Sequence, residues 1–209
     1  ALASETGWIS VDRHTLETDP HGFLAGLLVA AWAVQASACY LYLRDEYAGL
    51  RALFERELPA LIADPPLPRD AMPQIHLRRG AGAYICGEES ALIESIEGKR
   101  GMPRLRPPFV AERGLFGRPT LVNNVETLAW VPRILEHGAD WFAHHGRRGR
   151  RGLRAFSVSG RVRLPGEGVV QRRAGALVRH VVHLDAGHVV EHLGGEVDDA
   201  ALSRRRVVD

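Results

Sequence analysis

The chain has 209 residues, 45% of them hydrophobic and 25% charged, with a net charge of +2. That composition excludes global disorder and suits a globular chain of one domain, or one domain and part of a second. The small charge excess argues for neither nucleic acid nor an anionic membrane as partner.

The opening ALASETGWIS has no basic start and no apolar core, so no secretory signal is expected there, and the sequence opens as if in mid-domain. Asp19-Pro20 predicts a helix start, with a carboxylate cap and proline at the first helical position. Gly22 to Leu43 then runs without a charge, long enough to span a bilayer. Gln35 and Ser37 interrupt it and Cys39 to Leu43 reads as a strand, so a helix followed by a buried strand is expected instead of a membrane span. Leu50, Leu53, Phe54, Leu58 and Leu61 have helical spacing within a helix expected from Asp45 to Ile62. Asp64 to Pro73 is a proline-rich loop, and Ile75-His76-Leu77 a short strand.

Next come the turn Gly80-Ala81-Gly82-Ala83-Tyr84 and a helix expected from Glu88 to Glu97, closed by Gly98. Lys99 to Pro119 is a long Gly-, Pro- and Arg-rich segment of the kind that is usually functional. Asn123 is expected to begin another helix, with Glu126 as its capping-box partner, ending at Gly138. Arg147 to Arg151 reads as a linker, and Ala155 to Gly160 as the first strand of something new. Alternating helix and strand predicts an α/β fold.

Two readings of the stretch from Gly80 to Glu89 stay open on the residues alone. Glycines let a backbone approach a flat ring or a phosphate closely, or they merely make a turn. Glu88 and Glu89 suit a helix N-terminus but repel a phosphate there, which favours a planar cofactor over a simple phosphate cradle. The two cysteines, Cys39 and Cys86, fit a reducing compartment and cannot supply a four-cysteine metal or iron–sulfur site.

The run GAGAYICGEESALIESIEGKRGMPRLRPPF, followed by GLFGRPTLVNNVETLAWV, resembles the family of NADH-oxidising flavoprotein subunits. That family includes the flavin-bearing subunit of respiratory complex I, the diaphorase subunits of NAD-reducing hydrogenases and the beta subunits of NAD-dependent formate dehydrogenases. The wording is most similar to the formate dehydrogenase branch. The resemblance covers Asp19 to Gly166. It implies a partial Rossmann-like domain for FMN and NAD(H) over residues 1–150, then an incomplete or diverged β-grasp domain over 151–209.

By resemblance, Gly82, Tyr84, Gly87, Glu88 and Glu89 surround the FMN, and Glu89 also meets the nicotinamide as the catalytic position. Val122, Asn123, Asn124 and Thr127 match a second FMN wall, and Arg106 and Phe109 the adenine side of NADH. Cys86 lies beside the flavin in this picture and is expected to be a buried structural thiol. The implied reaction is hydride transfer from NADH to the flavin N5, followed by single-electron exit to iron–sulfur clusters. Implied partners are a thioredoxin-like [2Fe–2S] subunit and a larger iron–sulfur subunit, with a cytoplasmic location peripheral to the inner face of a membrane.

Three family features are expected but not found: a glycine-rich loop of the form GRGGAGFPTG, an acidic motif of the form DEGEPGTFKDR, and the four cysteines of the [4Fe–4S] domain. SETGWISVDR stands where the acidic motif belongs, with Glu5, Thr6, Gly7, Asp12 and Arg13 as remnants. The expectation is therefore a truncated member, inactive by itself; the alternative is a non-catalytic remnant or partner-docking module. No metal site is expected. His188-Val189-Val190-Glu191-His192 matches a short zinc-peptidase pattern, but it lacks a third ligand and is read with His180 and His183 as solvated surface. The arginine run is likewise read as solvated linker.

Overall fold

The computed structural model describes residues 2–4, 11–80, 82–145, 151–153, 155–158 and 166–169. The chain divides into two compact units, Ala1–Glu136 and His137–Asp209.

In the first unit the order is β1 (Leu2–Ser4), α1 (Val11–Thr18), α2 (Pro20–Ala33), β2 (Ala38–Leu43), α3 (Ala48–Ala63) and β3 (Gln74–Arg79). A 3-10 turn (Tyr84–Gly87), α4 (Glu89–Ile96), a second 3-10 turn (Leu115–Gly117), β4 (Val122–Asn124) and α5 (Val125–His137) follow. The start of α2 is as expected: Asp19 Oδ1 accepts the Gly22 amide at 2.9 Å with Pro20 in the first turn. Gly98 and Gly138, with φ of 80° and 92°, follow α4 and α5. β1 and α1 lie outside the sequence expectations. Among the described residues, no helix is long and apolar enough to cross a membrane.

The four strands form one parallel sheet in the order β3-β2-β1-β4. Strand alternation sorts β2 between two apolar layers. Cys39, Leu41 and Leu43 join Leu16, Phe23, Leu27, Leu50, Phe54 and Leu128 from α1, α2, α3 and α5. Tyr42 faces the other way, into a smaller cluster with Cys86, Leu92, Ile93, Val110 and Leu115. Buried apolar area of this kind contributes roughly 1.5–3 kcal/mol for each large side chain.

α2 and α5 approach each other closely at Gly26. A Cβ there would overlap the Leu128 carbonyl oxygen and come within 3.3 Å of the Pro132 ring. Pro132 lies inside α5 and has no amide to give the carbonyl four residues earlier, which is that of Leu128. The missing helix bond and the missing side chain therefore meet at one point.

One expected boundary is corrected. Asn123 belongs to β4, paired with Ala3, and does not begin the helix. Asn124 caps α5 instead: its Oδ1 accepts the Thr127 amide at 3.0 Å and also takes the Thr127 hydroxyl. Adjacent asparagines are equivalent as caps in sequence, and strand pairing decides between them.

The second unit contains α6 (Ala139–Ala143) and an antiparallel pair, β5 (Ala155–Val158) and β6 (Gly166–Val169). Trp141 contacts the rings of His137, Phe142 and His145. The histidines at 180, 183, 188 and 192, most of the arginine run (147–150) and the remnants Glu5, Thr6 and Gly7 lie outside the described residues.

Candidate functional site

A parallel sheet whose chain moves outward from β1 to β2 and β3, with β4 on the other side, is doubly wound. Its topological switch falls between β1 and β4, and ligands of such sheets bind in the crevice beyond the carboxyl ends. Asn123 and Asn124 stand at that end, in register with Ala3 and Ser4. The turn after Arg79 leaves from the same end of β3 and leads into α4.

Around the start of α4 the sequence sets a local network. Glu88 is its cap: Oε2 accepts the Ser90 and Ala91 amides, each at 2.9 Å, and the Ser90 hydroxyl at 2.5 Å. Its other oxygen, Oε1, lies 2.7 Å from Arg106 Nη2. The same nitrogen lies 2.5 Å from Glu89 Oε1, so one guanidinium bridges both carboxylates. Burial pushes the Glu88 carboxyl up, but the bonds from the Ser90 hydroxyl and the Ala91 and Ser90 amides, with the charge of Arg106, hold it below the ordinary glutamate range.

Arg104 and Arg106 are two positions apart yet serve different partners. Arg104 reaches Glu94 at 2.5 Å, Glu97 at 3.0 Å and the Gly114 carbonyl at 3.0 Å. The Phe116 amide donates to Glu97 at 2.7 Å, so the long segment after α4 is fastened to that helix at both ends. The Tyr42 and Ser95 hydroxyls, 2.9 Å apart, join α4 to β2.

Of the residues expected at a cofactor, the structure brings together Glu88, Glu89 and Arg106. Tyr84 and Phe109 present exposed rings, 72% and 54% accessible. Cys86 is buried, as expected. Gly82 has φ +73° with open space where a Cβ would stand, so the backbone there can meet a flat surface. The Asn123 side chain has no hydrogen-bond partner among the described residues, and Val122 packs beside the Cys86 cluster. Asn124 and Thr127 are bonded to each other at the start of α5, where helix geometry favours an anion.

These features fit one side of a site for a planar, phosphate-bearing group. The crevice bounded by Tyr42, Arg44, Gly80, Gly82, Ala83, Tyr84 and Cys86 has a volume of about 10 Å³, no more than a single water needs. Enclosing a cofactor there takes further residues than those that bound it. Ser90 and Arg104 are not among the residues the sequence marks out; a serine two places after a helix-capping glutamate is the available signal.

The fold is thus that of a doubly wound α/β module. The family described as Nuo51 FMN-binding domain matches residues 3–133, and the chain belongs to that family. The F subunit of NADH-quinone oxidoreductase from Rickettsia bellii (strain OSU 85-389) is 43% identical over 183 residues, covering 85% of this chain and 43% of the relative. Its counterpart from Rickettsia rickettsii (strain Sheila Smith) is 44% identical with the same coverage. A crystal structure of NAD+-reducing [NiFe]-hydrogenase in the H2-reduced state matches 81% of this chain and 30% of its own, with a TM-score of 0.74 and 39% identity. The chain spans less than half the length of these relatives.

Proposed function

We propose that the chain forms part of an NADH-oxidising flavoprotein subunit. In this reading Gly82, Tyr84, Gly87, Glu88 and Glu89 line one side of FMN. Val122, Asn123, Asn124 and Thr127 line another, and Arg106 and Phe109 receive the adenine side of NAD(H). FMN, when bound, would supply the redox chemistry, a centre that can take a hydride and give up single electrons. The protein's own residues bind and orient: Glu89 meets the nicotinamide, the α5 N-terminus suits the phosphate, and Asn123 offers a side-chain amide.

The observation that carries this reading is the Glu88–Arg106–Glu89 cluster at the start of α4, taken with the paired asparagines at the carboxyl end of β4 in the same parallel sheet as β3. Electrons would pass to iron–sulfur partners, a thioredoxin-like [2Fe–2S] subunit and a larger subunit, in a complex of the complex I, hydrogenase or formate dehydrogenase type. The location proposed is cytoplasmic, peripheral to the inner face of a membrane. Residues 1–150 form a partial FMN- and NADH-binding domain in this scheme and 151–209 an incomplete or diverged β-grasp domain.

The test is retention of FMN by the purified chain, read by quenching of flavin fluorescence, followed by NADH-dependent bleaching of the bound flavin. Retention with bleaching supports an electron-transfer role. The narrow crevice favours a second reading, a non-catalytic docking module, which retention without bleaching would select. No retention at micromolar FMN overturns the cofactor assignment.

A further inference from the structure

Ser90 is 1% exposed, the one fully polar side chain so buried among the described residues. Its neighbours fix the direction of its hydrogen bonds. The Arg104 amide donates to Ser90 Oγ at 2.8 Å, and the hydroxyl proton goes to the Glu88 carboxylate at 2.5 Å. Arg104 itself is held by Glu94, Glu97 and the Gly114 carbonyl. Two residues further on, Arg106 returns to Glu88 and Glu89. The result is a closed ring of contacts: Ser90, Glu88, Arg106, the backbone to Arg104, and Ser90 again.

From this ring we propose that Ser90 is a positioning residue for the nucleotide site. Its hydroxyl fixes the Glu88 carboxylate and the register of the 104–106 backbone together, and so sets where Arg106 meets Glu89. The cap on α4 does not need the hydroxyl, because the Ser90 and Ala91 amides also reach Glu88. What the hydroxyl adds is the tie between Glu88 and the segment that carries Arg106. The inference rests on the proposed function for its consequence, and on the structure alone for the link itself.

The test uses the full chain with Ser90→Ala and Ser90→Cys, the second keeping the shape with a weak donor. Ser90→Thr serves as rescue and Leu16→Ala as a variant destabilised elsewhere in the core. The Glu88 carboxyl is titrated by carbon-13 NMR; the charged groups facing it are Arg106 and Glu89. Its apparent pKa is expected to rise in the alanine and cysteine variants and to return in the threonine variant. FMN affinity, measured well below each unfolding temperature, is expected to fall about tenfold in the first two, the loss of one bond to a charged group. Leu16→Ala is expected to bind as the parent does. An unmoved Glu88 titration overturns the link, and FMN loss in Leu16→Ala equal to that in Ser90→Ala overturns the positioning role. A parent chain that binds no FMN instead defeats the proposed function, while the titration still decides the link.

Discussion

Arg106 lies with its Nη2 2.5 Å from Glu89 Oε1, although one belongs to the long arginine-rich segment and the other to the first turn of α4. The pair places a cation beside the carboxylate proposed to meet the nicotinamide, with Glu88 sharing the same nitrogen. Without a shared cation two adjacent carboxylates repel each other.

Replacing Arg106 by Gln is therefore expected to weaken NADH binding by roughly tenfold or more, the range for a bond to a charged group. FMN binding should also fall, but by less, because Arg106 holds Glu88 on the flavin side as well. Parallel titrations with the two ligands check this; an equal loss of both would assign Arg106 to folding or to the flavin alone.

The two asparagines beyond β4 are expected to separate stability from binding. Asn124→Ala removes the cap on α5 and should cost about 1 kcal/mol in chemical unfolding. Asn123→Ala removes an amide with no partner among the described residues, so stability should hold while FMN affinity falls. A reversed pattern would mean that Asn123 supports the fold.

Glycines in helices should respond with opposite signs. Gly26→Ala forces a methyl onto the Leu128 carbonyl and should destabilise by about 1–3 kcal/mol or more. Gly49, in α3, has nothing within 4 Å of its Cβ position, so Gly49→Ala should stabilise by up to about 1 kcal/mol. Thermal unfolding of the two variants decides the matter.

Acid stability follows from two depressed carboxyls. Burial pushes Glu97 up, but Lys99, the Phe116 amide and Arg104 hold it below the ordinary range, as the contacts of Glu88 do for that residue. A depressed folded value stabilises the native state above the unfolded pKa, near about 4.3. That stabilisation is lost as pH falls through the lower folded values. Glu97→Gln should therefore flatten the acid limb of the urea midpoint plotted against pH, with its largest deficit above about pH 5. An unchanged slope would show that Glu97 contributes nothing to it.

What local chemistry controls is legible in the sequence. Asp19-Pro20, the spacing of Leu50, Phe54 and Leu58, and the glycines at 98 and 138 all mark elements that the structure contains. Asn124 is not separable from Asn123 in this way, because pairing with β1 is a long-range fact. Nor are the Arg104 and Arg106 pairings legible, since an arginine's partner across a loop leaves no periodic trace. Among the expected site residues, Glu88 reads in sequence as a helix-start carboxylate near the flavin; its contacts show that it caps α4 from outside the helix and also holds Arg106 in place.

The central claim is tested most directly by adding FMN to the isotope-labelled chain and mapping the amide shifts. The largest changes are predicted at Gly82, Tyr84, Gly87, Asn123 and Asn124, beyond the carboxyl ends of the strands. Changes confined to the cleft of about 830 Å³ lined by Val34, Ala36, Tyr40 and Leu121, near the amino end of β2, would contradict it.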